Sequence, residues 1–267
     1  MDGSEPAAAG GGVVRLRLVV AYDGTGYQGW QTQTIGQGVQ EKVEEALRRV
    51  FPGAGALHGS SRTDTGVHAL GMVAHVDLPR GEWRMPGWKA VLAVNAHLPG
   101  DIRVMGVRRA RPDFHARFQA ISKEYRYRIW NGPAENPLLR HQAWHVPRPL
   151  DRGAMREAAR HLVGRHDFAS FTANPGYARA STVRTILRCE VVGRSREVTV
   201  VIEGTGFLYK MCRGIAGTLV QVGLGRIDVR DMAGILERRD RRVAGMTAPA
   251  HGLVLWRVRY GRDGEQV

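Results

Sequence analysis

Eleven consecutive residues, Ser60 to Leu70 (Ser-Ser-Arg-Thr-Asp-Thr-Gly-Val-His-Ala-Leu), put one carboxylate in a polar turn between an apolar stretch and a strand. Asp64 has Arg62 two residues before it and Gly66 two after it, so a guanidinium lies close by and the chain can turn sharply toward a ligand. A carboxylate held in this way can attack an electrophile, accept a proton or grip a donor. Asp-Thr-Gly also closes ordinary turns on its own backbone, and the local residues leave both readings open.

Two more groups of residues can carry chemistry. Strand alternation puts residues 125, 127 and 129 on one face and Arg126 and Arg128 on the other, so Tyr125 and Tyr127 stand side by side. They make either a pair of core tyrosines or a plate for stacking a base, with arginines and Lys123 nearby for phosphate. Lys210 and Arg213 fall near the start of a long helix, beside Glu203-Gly204-Thr205-Gly206. There each can reach a carboxylate or a phosphate, or simply face solvent.

Other constellations fit less well. Asp64-Thr65-Gly66 matches the short signature of aspartic proteases, but the second tripeptide is missing and Arg62 would oppose a proton shared between two carboxylates. His141 and His145 have the spacing of helical metal ligands, yet Pro147 and Pro149 follow at once. His68 invites a triad reading, against which the following apolar strand favours a structural imidazole. No Walker or dinucleotide fingerprint is present, so no cofactor and no metal are expected.

The composition names a partner. With 267 residues, 43% of them hydrophobic, the chain can bury one large core or two modest ones. Its net charge of +14 favours a polyanion through phosphate contact and counterion release, which makes nucleic acid the leading partner. Two cysteines, Cys189 and Cys212, are too few for a disulfide framework and suit a reducing cytoplasm. Residues 1–12 lack the charged start and apolar centre of a signal peptide and read as a disordered tail. No apolar run reaches the ~18 residues of a transmembrane helix.

The elements that must position these residues follow from periodicity. Alternation predicts a strand over Val13–Tyr22, and Val39, Val43, Ala46, Leu47 and Val50 predict a helix ended by Phe51-Pro52-Gly53. A strand over Val73–Leu78, a helix over Gly87–Ala96 and a strand over Ile102–Val107 complete an α+β unit of residues 13–112. Arg111-Pro112-Asp113 marks the boundary. The second unit, residues 113–267, is expected to hold a strand over Ile121–Trp130, a helix capped by Asp151, a strand pair over Val183–Val192 and Glu197–Ile202, and the longest helix over Phe207–Val222. A shorter helix capped by Asp228 and a closing strand over Leu253–Tyr260 end it.

Together these motifs resemble one family, the tRNA pseudouridine synthases of the TruA type. Tyr22-Asp23-Gly24-Thr25-Gly26-Tyr27-Gln28-Gly29-Trp30-Gln31 is similar to the family's first motif, and Ser61-Arg62-Thr63-Asp64-Thr65-Gly66-Val67-His68-Ala69 to its Gly-Arg-Thr-Asp-Ala-Gly-Val-His-Ala loop. Phe114-His115-Ala116-Arg117-Phe118 with Tyr125-Arg126-Tyr127, then Arg184-Thr185-Ile186, Gly206-Phe207-Leu208 with Met211 and Arg213, and Ala248-Pro249-Ala250 with Gly252-Leu253 continue the match in order.

The resemblance implies an α+β fold of two similar subdomains whose antiparallel sheets join around a basic cleft. It implies that Asp64 is the nucleophile, Arg62 its loop partner, Tyr125 the active-site tyrosine with Tyr127 in reserve, and Arg213 the basic residue paired with the aspartate. Lys210, Arg117 and Arg126 then join Tyr125 and Tyr127 as substrate-binding residues. The implied reaction is the isomerisation of uridine to pseudouridine at positions 38 to 40 of the tRNA anticodon stem-loop, by a cofactor-free homodimer in the cytoplasm. The alternative is a catalytically silent tRNA-binding or tRNA-folding protein on the same scaffold. Three departures from the family pattern stand out: Ser61 replaces a usual Gly, Thr65 a common Ala, and Cys212-Arg213-Gly214 stands where Val-Arg-Asn is usual.

Overall fold

The computed structural model describes residues 12–32, 37–174, 176 and 180–261. The tail expected over residues 1–12 lies, apart from Gly12, outside the described residues. Strand β1 (Val13–Tyr22) buries Val14, Leu16, Leu18 and Val20, as its alternation requires. Helix α1 (Val39–Val50) turns Val39, Val43, Ala46 and Leu47 inward. Next come β2 (His58–Gly59), β3 (His68–Pro79), α2 (Gly87–Asn95) and β4 (Ile102–Arg109).

The second half begins with β5 (Ser122–Trp130) and β6 (Trp144–His145). Helix α3 (Arg152–Arg160) is capped by the Asp151 carboxylate, which accepts from the Ala154 N–H at 2.9 Å. Strands β7 (Gly164–Asp167), β8 (Val183–Val192) and β9 (Glu197–Gly204) follow, then α4 (Met211–Gly223), α5 (Asp231–Arg238) and β10 (Leu253–Arg259).

All ten strands belong to one sheet, ordered β4-β1-β3-β10-β5-β9-β8-β7, with β2 on β3 and β6 on β5. The ladders are antiparallel except for β6 on β5 and β10 on β3, where Val254 and Leu255 pair with His68 and Ala69. That short parallel seam joins strands from the first half of the chain to strands from the second. The edge of β3 opposite β1 is shared: β10 takes it at His68 and Ala69, and β2 takes it at Ala74 and His75. The Asp64 turn leaves from β2 and re-enters at His68, so it stands where the two parts of the sheet meet.

Six elements differ from the sequence reading. Strand β3 starts at His68 rather than Val73 because its pairing with β1 absorbs an irregularity between Val20 and Tyr22. Helix α4 starts at Met211 rather than Phe207: Lys210 is left-handed at φ 58°, and the Tyr209 carbonyl is taken by Thr172 Oγ1 at 2.8 Å. Asp228 does not cap α5, since its carboxylate accepts from the Arg230 N–H at 2.9 Å, before the helix begins. The short strands β2, β6 and β7 were not expected from periodicity, being only two to four residues long.

Candidate active site

The glycine-rich stretch from Tyr22 to Trp30 forms the bed on which the Asp64 turn lies. A Cβ at Gly24 would stand 2.1 Å from the Val67 carbonyl oxygen, and one at Gly29, where φ is +93°, would stand 2.3 Å from that of Thr63. Only glycine permits this approach. The contact lets Trp30 N–H donate to the Thr63 carbonyl at 3.3 Å and Gly66 N–H to the Tyr27 carbonyl at 3.2 Å. The Tyr22 and Thr63 hydroxyls meet at 2.8 Å, and Val67 N–H closes the turn on the Asp64 carbonyl at 3.1 Å.

His68 is part of this bed. Its Nδ1 accepts from Gly24 N–H at 3.0 Å and its Nε2 lies 3.0 Å from the His251 carbonyl, which it reaches as a donor. Both nitrogens are engaged by backbone, Asp23 Oδ1 also lies 3.1 Å from Nδ1, and no hydrogen bond or ion pair joins His68 to Asp64 among the described residues, so the triad reading is set aside. His145 is likewise accounted for by the Gly132 carbonyl, 2.8 Å from its Nε2.

Arg213, on the first turn of α4, reaches the aspartate. Its Nη1 donates to Asp64 Oδ2 at 3.2 Å, with the two side chains only 14% and 21% exposed. Its Nε donates to the Ala248 carbonyl at 2.8 Å, and Ala248 N–H returns to the Arg213 carbonyl at 3.1 Å. The guanidinium is therefore fixed before it meets Asp64. Asp64 Oδ1 has no hydrogen-bond partner among the described residues, so one carboxylate oxygen is held and the other is available.

A cavity of about 730 Å³ opens in front of Asp64, with Tyr125 in its wall. The Tyr125 ring meets Phe207 edge-on, 5.0 Å between centroids. Burial above all, with Cys212 and Asp64 close by, raises the Tyr125 hydroxyl well above its ordinary range, so it remains a proton donor. The cavity lining holds Arg62, Arg117, Lys123 and Lys210 against the single carboxylate of Asp64. Arg62 and Arg117 form no ion pair among the described residues. Lys123 Nζ donates to the Ser60 carbonyl at 2.6 Å, and burial, with Arg117 adding repulsion, lowers its pKa to about 8.

Most of the residues singled out from sequence thus come together: Asp64, Arg62, Tyr125, Arg117 and Lys210 line the cavity, and Arg213 supports Asp64 from behind. Two do not reach it. Tyr127 is fully buried and donates to the Pro249 carbonyl at 2.8 Å. Arg126 points to the other face of β5, where it stacks 3.7 Å from the Trp256 ring centroid and pairs with Glu124 at 2.7 Å. Lys123 was named in sequence only as a neighbour for phosphate, although alternation puts it on the Tyr125 side of the strand. Phe118 and Tyr209 also line the cavity, and no local signal marks them.

The departures from the family pattern are now located. Ser61 is buried in the cavity wall, and its Oγ has no hydrogen-bond partner among the described residues. Thr65 is exposed. Gly214 lies against the Phe171 carbonyl, where a Cβ would be 2.3 Å from the oxygen, so this backbone leaves no room for an asparagine.

Comparison with known proteins identifies relatives along nearly the whole chain. The family model described as tRNA pseudouridine synthase matches residues 18–119 and 158–261. The tRNA pseudouridine synthase A of Syntrophotalea carbinolica is 45% identical over 92% of this chain and 96% of its own length. The proteins of the same name from Shouchella clausii and Paramagnetospirillum magneticum are each 44% identical, over 93% and 94% of this chain and 94% and 96% of their own lengths. A bed of glycines under an aspartate turn, an arginine behind it and relatedness along nearly the whole chain lead to one conclusion: the chain belongs to the tRNA pseudouridine synthase family.

Proposed function

We propose that this protein isomerises uridine to pseudouridine in tRNA, with Asp64 as the reacting group. The observation that carries the reading is the Asp64–Arg213 pair at the wall of a cavity lined by four cations and one carboxylate. The reaction breaks the bond from C1′ to N1, turns the base and forms a bond from C1′ to C5; N1 gains a proton and C5 loses one. No redox partner is required. Asp64 Oδ1 can attack C1′, add to C6 or take the C2′ proton, and each route needs an oriented carboxylate beside an extruded base. Arg213 supplies the orientation. Tyr125, kept protonated by burial, offers the flipped base an aromatic face and a donor.

The residues assigned to the two halves act together: 13–112 bring Asp64 and Arg62, and 113–267 bring Tyr125, Arg117, Lys210 and Arg213. The substrate of this reading is the anticodon stem-loop, modified at positions 38, 39 and 40. The working form is a homodimer in the cytoplasm. Supporting the dimer, the opposite side of the sheet carries a second cavity of about 750 Å³ with Leu70 and Met105 in its wall, 50% and 60% exposed. Among the described residues no helix is long and apolar enough to cross a membrane.

The test treats unmodified tRNA transcripts with wild type and Asp64→Ala and maps pseudouridine. Wild type is expected to convert the anticodon-arm uridines, and Asp64→Ala to be slower by at least about a thousandfold. Equal conversion by both would sink the assignment of Asp64. A wild type that binds tRNA without converting any uridine would favour the catalytically silent reading.

A further inference from the structure

Two exposed aromatic rings flank the mouth of the Asp64 cavity. Phe118 is 75% exposed in the segment before β5, and Tyr209 is 38% exposed just before α4. Single exposed apolar residues need no explanation, but these two are held in place. Phe118 lies 4.2 Å from the His115 ring, tilted by 35°; His115 meets His75 at 4.7 Å, and His75 stacks on His58 at 4.9 Å. Phe118 is the outer ring of a chain of four contacting rings.

That cluster is anchored at its third ring. His75 is 2% exposed, and its Nδ1 accepts from the Ala116 N–H at 3.2 Å. His115 Nδ1 accepts from the N–H groups of Arg117 and Phe118 at 3.1 and 3.4 Å, which fixes the segment that presents the ring. On the other side, the Tyr209 carbonyl accepts from Thr172 Oγ1 at 2.8 Å and from Ala173 N–H at 3.3 Å. Burial lowers the pKa of His75 to about 4 and lowers that of His115 as well, so both imidazoles favour the uncharged form.

Each ring also has its own cation. Arg117 Cζ is 5.6 Å from the Phe118 centroid, and Lys210 Nζ is 4.8 Å from the Tyr209 centroid. A fixed aromatic face beside a cation is how non-helical nucleic acid is held: bases stack on the ring and the cation meets the phosphate. Extruding one uridine strips its two neighbours of a stacking partner. We propose that Phe118 and Tyr209 are stacking plates for the two nucleobases that flank the extruded uridine, with Arg117 and Lys210 on the adjoining phosphates. This rests on the reading of the protein as a uridine isomerase, and it adds a subsite on each side of the reacting base.

The test uses the full chain carrying Asp64→Ala and an anticodon stem-loop RNA with 2-aminopurine placed directly before or directly after the target uridine. Binding is expected to change the fluorescence of each probe. Phe118→Ala is expected to abolish the change at one position and Tyr209→Ala at the other, while Phe118→Tyr retains it. In chains that keep Asp64, Phe118→Ala is expected to raise KM about tenfold while kcat stays within about threefold. Identical fluorescence changes in all variants would overturn the proposal, as would a raised KM without loss of the fluorescence change, which would make the ring merely structural. A wild type that makes no pseudouridine but whose probe responses depend on both rings would refute the isomerase reading and support the plates.

Discussion

Strand β5 separates two cavities of nearly equal size, about 730 and 750 Å³, and their walls treat charge in opposite ways. In front of Asp64, four cations face one carboxylate, and that carboxylate is already paired with Arg213. Across the sheet, Arg103, Arg126 and Arg128 share the wall with Asp23 and Asp101, and Arg126 is neutralised by Glu124 and covered by Trp256. Volume does not distinguish the two sites. The difference lies in uncompensated charge, which favours a polyanion at the first and is largely balanced at the second.

The largest way to break the contrast is through the backbone. Gly29→Ala would drive a Cβ to within 2.3 Å of the Thr63 carbonyl at a φ of +93°, displacing the Asp64 turn. The expected outcome is a stability loss of about 2–4 kcal/mol and a fall in conversion rate of roughly a hundredfold or more. Gly100, in the wall of the second cavity, has nothing within 4 Å of a built Cβ. Gly100→Ala should stay within about 0.5 kcal/mol of wild type with unchanged activity. Thermal melts and pseudouridine mapping on both variants decide it, and a tolerated Gly29→Ala would show that the bed does not set the turn.

Much of this arrangement was legible in the sequence where the cause is local. Strand β1 and helix α1 follow from alternation and from apolar spacing between Gly38 and Phe51, and Asp64, Tyr125 and Arg213 stand in recognisable motifs. What escaped depends on distant partners. The left-handed Lys210 that delays α4 is held by an acceptor, the Tyr209 carbonyl, taken by Thr172. The parallel seam of β10 on β3 pairs residues far apart in the chain. Arg126 was expected at the substrate from the resemblance, although alternation already put it opposite Tyr125, and the structure places it outside the Asp64 cavity. Phe118 became informative only once three histidines from β2, β3 and its own segment were seen clustered behind it.

A smaller effect sharpens the electrostatic side of the comparison. Replacing Arg117 and Lys210 together by glutamine should weaken tRNA binding about tenfold at low salt and flatten the dependence of log affinity on log salt by about 1.5 to 2. Arg126→Gln should leave that slope unchanged. It should instead lower stability by about 1–2 kcal/mol, because Glu124 is 1% exposed and would keep Arg188 at 3.0 Å and the more distant Arg259 at 3.9 Å. Binding titrations at several salt concentrations, with melts alongside, measure both. Equal slope changes in the two variants would mean that RNA contacts both faces.

The smallest effect tests one charge inside the cavity. Lys123 titrates near pH 8 because it is buried and faces Arg117, so it is charged at pH 7 and largely neutral at pH 9. Phosphate attraction from this side chain is therefore present below about pH 8 and lost above it. The salt dependence of tRNA binding should be shallower at pH 9 than at pH 7 by up to about one unit, and Lys123→Met should remove that difference. Stability moves the other way. The folded pKa is below the ordinary value of 10.5, so the unfolded chain binds more protons between about pH 8 and 10.5, and this group makes the fold more stable as pH rises through that window. A wild-type slope that is the same at both pH values, with Lys123→Met indistinguishable from it, would mean that the lysine serves only to hold the Ser60 carbonyl and contributes no charge to the cavity.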